Sequence, residues 1–329
     1  MERGKHVKGE KKPRGRIFLA VLALIALLTG CKADIPIVSE IAETKAYTLP
    51  QSMIILATER NRYQQIYTSQ IWGIDLPGDQ NFETYLIEQV KEFLQEMKMM
   101  NLLAESKGVT LTSSEKEKVR KASDEYFGSL TKEDIAYMGI TEEDVHSMYE
   151  QYYLSNKVVT ELTKDMNLEI SDSEAKVIIV DQIVLTDKAQ ADQVLSLTTA
   201  EGADFSALAR EHSIEETMER HIGRGEVSKA YEEAAFALLE GEISPVVEDN
   251  GRFYLIKCVD DYDETATQER KAGLYRKRKK EAFDQIYNKY KEENPVTFSN
   301  EIWKDVRFSK EDKTTTTNFF EIYKKYVTD

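Results

Sequence analysis

The stretch "GRGEVSKAYEEAAFALLEGEISPVVED", residues 223–249, sets a glycine turn before a short amphipathic run, then a second glycine stop and a strand-like run. The helix is expected from about Lys229 to Leu239. Strand candidates follow at "SPVVED" (244–249) and "GRFYLIKCVDD" (251–261), with Asn250-Gly251 as the turn between them. Upstream, "KVIIVDQIVLT" (176–186) is rich in β-branched residues and too short for an ordinary helix, so it reads as a buried strand. Asp187 can cap a helix through about Leu197, and "ADFSALAREHS" (203–213) supports another after the Glu201-Gly202 break. One strand, three helices and two closing strands make a compact α+β module.

On either side the sequence is helical. Phe82, Leu86, Val90, Phe93, Met97 and Met100 recur at intervals of three and four, the pattern of a helix with one buried stripe, which stops at Gly108. Met99 lies off that stripe and is the better candidate for an adaptable contact with a partner. Capping-box pairs recur at Thr112 with Glu115, Thr131 with Asp134, Thr141 with Asp144 and Ser171 with Glu174. After Asp263 the chain is helical and charged to about Asn294, and "PVTFSNEIWKDVRF" then looks extended. The basic run Arg270, Lys271 and Arg276 to Lys280 reads as a solvated helix face, with contact to an anionic surface as its alternative. Residues 309–329 read as a tail, a polar linker ending in a short amphipathic piece.

The N-terminus is an address. Seven basic residues precede an apolar run from Ile17 to Leu28, the order of a secretory signal, and the run is short for a membrane-spanning helix. It closes on "LLTGC", which resembles the lipobox of bacterial lipoproteins. That resemblance implies cleavage before Cys31 and a lipid anchor on it, so the expected location is the extracytoplasmic face of the cell membrane. The whole chain carries 44 basic and 59 acidic side chains, a net charge of −15. Loss of the first 30 residues leaves 37 against 57, an acidic protein that nucleic acid repels. Only Cys258 then remains, in an apolar run, where it reads as a small buried hydrophobe. His212 and His221 match no zinc spacing, and no metal or other cofactor is expected.

The order "VDQIVL", "ADFSALAREHS", "GRGEVSKAYEEAAFALLEGEISPVVED", "GRFYLIKC" resembles the parvulin type of peptidyl-prolyl cis-trans isomerase domain. With the flanking helices, the "GVTLTSSEKEKV" turn and the lipobox, the likeness extends to extracytoplasmic foldases of the PrsA and SurA type. It implies an α+β fold: an all-helical, discontinuous chaperone domain carrying a small parvulin-like insert. The expected divisions are a signal over 1–30, a tether over 31–48, the helical domain over 49–170, the parvulin-like domain over 171–263, a returning helix and strand over 264–308, and the tail.

The family reaction is rotation about the bond before proline, whose barrier of about 18–20 kcal/mol comes from amide resonance, so no covalent chemistry is required. The resemblance implies Val227, Tyr231 and Phe236 as the walls of a proline groove, with Gln182, Tyr254 and either Glu215 or Glu216 as its polar groups. This chain departs from the family at both histidines: Gln182 and Tyr254 stand where imidazoles are usual, and "MERHI" (218–222) replaces a glycine-rich loop. Gln182 can still donate and accept, but imidazole geometry is lost, which points to a weak or inactive groove. Three functions are open at this level: an isomerase acting on exported proteins, a chaperone holding unfolded or partly folded ones, and a lipid-anchored assembly protein with one fixed partner. A homodimer is among the assemblies open to it.

Overall fold

The structure, a computed structural model, describes residues 43–44, 46–78, 80–308 and 313–327. The signal segment and Cys31 lie outside the described residues. The chain divides into two compact units, one formed up to Lys164 and again from Gln285 onward, the other by Asp165–Asp284. Both units differ from the sequence divisions at their edges. The α+β unit begins six residues earlier and takes in the first two thirds of the returning helix.

The helical unit opens with strand β1 (Glu43–Thr44) and helix α1 (Leu49–Tyr67). Thr48 and Gln51 form a reciprocal capping box at its start, a pair the sequence reading passed over. Every residue from Ser52 to Asn61 is buried, so α1 is covered on all sides and shows almost no amphipathic stripe. Strands β2 (Asp75–Leu76) and β3 (Gln80–Asn81) form a small hairpin. Helices α2 (Phe82–Ser106), α3 (Ser113–Ser129), α4 (Lys132–Met138) and α5 (Glu142–Thr163) follow. Thr112, Thr131 and Thr141 each cap the next helix with the reciprocal acid bond that the sequence spacing implied. Met97 is buried, but so is Met99, while Met100 is half-buried. Neighbours α1 and α5 cover α2 on more than one side, so its buried face is wider than a single stripe, and Met99 is a core residue, not a contact for partners.

The α+β unit contains α6 (Asp172–Ala175), β4 (Val177–Leu185), α7 (Lys188–Thr198), α8 (Phe205–His212), β5 (Glu219–Gly223), α9 (Lys229–Ala235), β6 (Val247–Asp249) and β7 (Arg252–Asp260). Its sheet runs β5-β4-β7-β6, with every neighbouring pair antiparallel. Side-chain alternation along β4 builds two cores. Ile178 and Val180 pack with Ile222, Ile256 and α9 on one face, while Ile183 and Leu185 pack with Leu255, α7 and α8 on the other. Asn250 and Gly251 both have positive φ, 50° and 74°, which closes the β6-β7 hairpin as expected. Helix α9 stops at Ala235, four residues early, because Leu238 and Leu239 enter a turn held by Glu242, whose carboxylate accepts the Leu239 N–H at 2.8 Å. Strand β5 covers most of the "MERHI" segment, where the sequence pattern marks no strand. It has one inward apolar residue, Ile222, and its charged neighbours suit the open edge it forms.

Helix α10 (Glu264–Glu293) passes through the division at Asp284, after which β8 (Thr297–Phe298) pairs in parallel with β1 and α11 (Phe319–Val327) ends the described chain. The basic run on α10 is largely drawn into ion pairs: Lys271 with Asp172 at 2.7 Å, Arg278 with Glu174 at 2.5 Å, Arg270 with Glu226 at 3.5 Å.

The segment read as a tail is part of the helical core. Phe319, Phe320, Ile322 and Tyr323 are buried against Tyr126, Tyr149 and Tyr152. Buried polar groups hold the residues before them. Arg60 donates to Thr314 Oγ1 at 2.8 Å, Asn61 to Thr316 O at 3.0 Å, and Tyr149 to Phe319 O at 2.8 Å. Asp134, beyond its capping role, accepts the N–H groups of Thr315 and Thr316. Burial alone would raise the Asp134 carboxyl, but the bonds from Thr131, Thr315 and Thr316 outweigh it and hold the group below the usual range.

Candidate functional site

The α9 face of the sheet brings most of the expected groove residues together. Gln182 points to this face from β4 and is 1% exposed. Ser213, at the end of α8, is the residue that sets its surroundings. The Ser213 hydroxyl accepts the N–H of Val184 at 3.1 Å and of Glu215 at 3.2 Å, while Ile214 N–H donates to Val184 O. The chain leaving α8 is thereby tied to β4, and Glu215 lies beside Gln182.

A continuous polar chain results. Tyr231 O–H donates to Gln182 Oε1 at 2.9 Å, Gln182 Nε2 donates to Glu215 Oε2 at 3.0 Å, and Arg252 donates to Glu215 Oε1 at 2.5 Å. Gln182 Nε2 also approaches Thr217 O at 3.5 Å. Burial pushes the Tyr231 phenol up to about 12, so it remains a donor throughout the physiological range. Both ends of the Gln182 amide are thus engaged, and the side chain is sealed from solvent. To reach a bound imide it would have to give up one of these bonds.

The other expected residues divide. Tyr254, half-buried on β7, sets its ring edge-on to Tyr231, with centroids 5.4 Å apart. Val227 and Phe236 are half-buried on the same apolar cluster. Tyr231 is itself 3% exposed, so its ring is the floor of this face and not an open wall. Glu216 is exposed, one residue past the Ser213 bond that fixes Glu215, and it takes no part in the network. Of the two acids that the resemblance left open, Glu215 is the one bonded to Gln182.

The glycine turn at the head of the opening stretch borders the site. A Cβ on Gly223 would collide with the Arg270 guanidinium, and Gly225 has φ of +79°. Glu226 accepts the Gly223 N–H at 2.9 Å and Glu232 accepts that of Gly225 at 2.5 Å, so these two backbone donors are answered by one acid of the loop and one of α9. Arg224 then lies over the Phe236 ring at 4.3 Å, and Arg220 over Tyr231 at 5.8 Å. Sequence reasoning missed Ser213, Arg220, Arg224 and Arg252. Arg252 was discoverable only through its position beside the Asn250-Gly251 turn, since its partner Glu215 is 37 residues away. Cys258 is buried, which raises its thiol and agrees with a packing role.

Comparison with known proteins bears on this geometry. Residues 140–269 match the family described as the PPIC-type PPIase domain. Over 208 residues the chain is 28% identical to the foldase protein PrsA of Caldanaerobacter subterraneus, covering 58% of this chain and 62% of that one. Over 218 residues it is 24% identical to the PrsA of Halalkalibacterium halodurans, covering 58% and 65%. The chain therefore spans a little under two thirds of the length of these curated relatives. Among solved structures, PrsA of Bacillus cereus aligns at 19% identity with a TM-score of 0.36, covering 73% of this chain and 90% of that one. PrsA of Streptococcus pneumoniae aligns at 20% with a TM-score of 0.28, covering 70% and 97%. Residues 140–269 are thus similar to a parvulin-like domain of the PPIC type, and the chain is similar to PrsA foldases over part of its length.

Proposed function

We propose that this protein is a membrane-anchored extracytoplasmic foldase that holds unfolded or partly folded exported polypeptides, with a parvulin-type groove in which isomerase catalysis is weak or lost. The observation that carries this reading is the state of Gln182. It stands where the family has a histidine, inside a matched PPIC-type domain, and its amide is buried and bonded at both ends. A fully satisfied buried network stiffens the groove floor and leaves Gln182 no free polar atom for tuning an imide. Half-buried Tyr254, Val227 and Phe236 supply apolar and aromatic surface to a bound chain. Tyr254 is the one group of the expected set that can still offer a donor from a partly open position.

The test is client protection. The full chain, at stoichiometric amounts, is expected to suppress aggregation of several unrelated exported proteins diluted from denaturant. Protection of a single protein and no other would favour the fixed-partner reading, and protection of none would sink the foldase reading. The anchor is tested separately: Cys31→Ala is expected to leave the chain uncleaved and unlabelled by radioactive lipid precursors. Cleavage and labelling that persist in the variant would contradict a lipid on Cys31.

A further inference from the structure

Three guanidinium groups border the α9 face of the sheet, and they are not equally committed. Arg252 is paired with Glu215 at 2.5 Å and Arg224 with Glu232 at 3.6 Å. Arg220, on β5, has no carboxylate partner among the described residues. Its direction follows from strand register: it stands opposite Val180, and directly opposed residues of neighbouring strands share a face. Val180 packs in the core beneath α9, so Arg220 is on that side, with its guanidinium carbon 5.8 Å from the centroid of the Tyr231 ring. Glu219 and His221, its chain neighbours, alternate to the opposite side, where they approach each other at 3.7 Å. The acid next to Arg220 in the chain is thus turned away from it.

Arg220 is half-buried, and none of its nitrogens is a buried, unpaired atom, so its N–H fork is reachable from solvent. The Tyr231 phenol beside it does not answer the charge, since its O–H is given to Gln182. What a guanidinium fork takes is a carboxylate, whose two oxygens match its paired N–H groups. The whole chain has a net charge of −15, but at physiological salt a charge is felt over about 8 Å, so the local groups decide. The acid bonded into this face, Glu215, is already neutralised by Arg252. Around Arg220 the surface is apolar and aromatic, with Tyr254 edge-on to Tyr231 and Val227 in the same cluster. A ligand complementary to both has an apolar residue for that surface and an acid beside it. Consecutive Cα atoms are about 3.8 Å apart, which brings the neighbouring side chain within reach of the guanidinium.

We propose that this face selects unfolded segments in which proline is directly preceded or followed by aspartate or glutamate, the proline ring against Tyr254 and Val227 and the carboxylate paired with Arg220. The proline half rests on the parvulin-type reading above; the acid half rests on Arg220. A lysine or arginine in the same place sets two cations together and is selected against.

The test is binding of short fluorescent peptides Ala-Xaa-Pro-Phe, with Xaa glutamate, glutamine or lysine, to the full chain in detergent, read by anisotropy, with a second set in which the same residues follow proline. In at least one set the glutamate peptide is expected to bind about fivefold more tightly than the glutamine peptide, the upper end for a partly exposed ion pair, and the lysine peptide more weakly than either. That preference should shrink as salt is raised, which tests it on the unmodified chain. Arg220→Gln is expected to abolish it and Arg220→Lys to keep part of it. Equal binding of all peptides leaves the groove standing and overturns the acid preference. A preference that persists in Arg220→Gln, or undiminished at high salt, overturns Arg220 as its source. Glutamate peptides that bind equally with alanine in place of proline overturn the seating of proline beside the acid, and no binding by any peptide overturns both halves. Acid preference without client protection would leave this site standing and remove the foldase reading. Client protection with equal binding would do the reverse.

Discussion

At the scale of single residues, two buried side chains illustrate opposite solutions to the same cost. Gln182 is sealed in the sheet core with every polar atom answered, so its burial is neutral at any ordinary pH. Glu59, 2% exposed on α1, has neither carboxylate oxygen hydrogen-bonded among the described residues, and only Arg62 at 3.7 Å as an ionic neighbour. Burial pushes it up to about 8, Arg62 offsetting part of the effect. In the unfolded chain an ordinary glutamate titrates near about 4.3. Between those values the folded state holds a proton that the unfolded state has released, so stability falls as pH rises and levels off above about 8. The slope is about 1.4 kcal/mol per pH unit where the difference is complete. Glu59→Gln is expected to remove this dependence: denaturant midpoints of the variant and the parent should agree near pH 4 and diverge in the variant's favour by pH 8. Parallel pH profiles would contradict a neutral Glu59. Nothing in the sequence marks Glu59 as buried, since α1 lacks the stripe from which burial is normally read.

At the scale of elements, legibility followed local chemistry. Capping pairs at Thr112, Thr131 and Thr141 gave three helix starts directly, because the bonds that define them join residues three apart. Strand β4 was plain from its β-branched run, and the β6-β7 turn from Asn250-Gly251. Strand β5 was not, because an edge strand with one inward residue has no alternation to show. The amphipathic pattern of helix α11 names no partner, since the groups that hold it and the residues before it, Tyr149 and Arg60, Asn61 and Asp134, are more than 150 residues away. Phe319 is the sharpest probe of that docking, being wholly buried among Tyr126, Tyr149 and Tyr152. Phe319→Ala is expected to cost about 3–5 kcal/mol. Both tryptophans, Trp72 and Trp303, are in the helical unit, so the loss should appear as a lower urea midpoint by tryptophan fluorescence. An unchanged midpoint would show that the terminal helix is dispensable to that core.

At the scale of the molecule, the two units carry separate parts of the account. The helical unit contains the core that receives the terminal helix, and the α+β unit contains the sheet face with the buried Tyr231–Gln182 pair. The sequence placed Gln182, Tyr231, Tyr254, Val227 and Phe236 on one face through resemblance alone. The polar chain that fixes their state, through Ser213 and Arg252, is a product of tertiary pairing that no local pattern encodes. That chain underlies the proposal of a parvulin-type foldase that holds its clients more than it isomerises them. The most direct test is the cis-to-trans exchange rate of short Xaa-Pro peptides, scanned over Xaa, with and without the full chain. Exchange that stays on the uncatalysed scale of tens to hundreds of seconds at 25 °C for every Xaa is the expected result. Acceleration by orders of magnitude for any Xaa would contradict it and make the groove an active isomerase without its histidines.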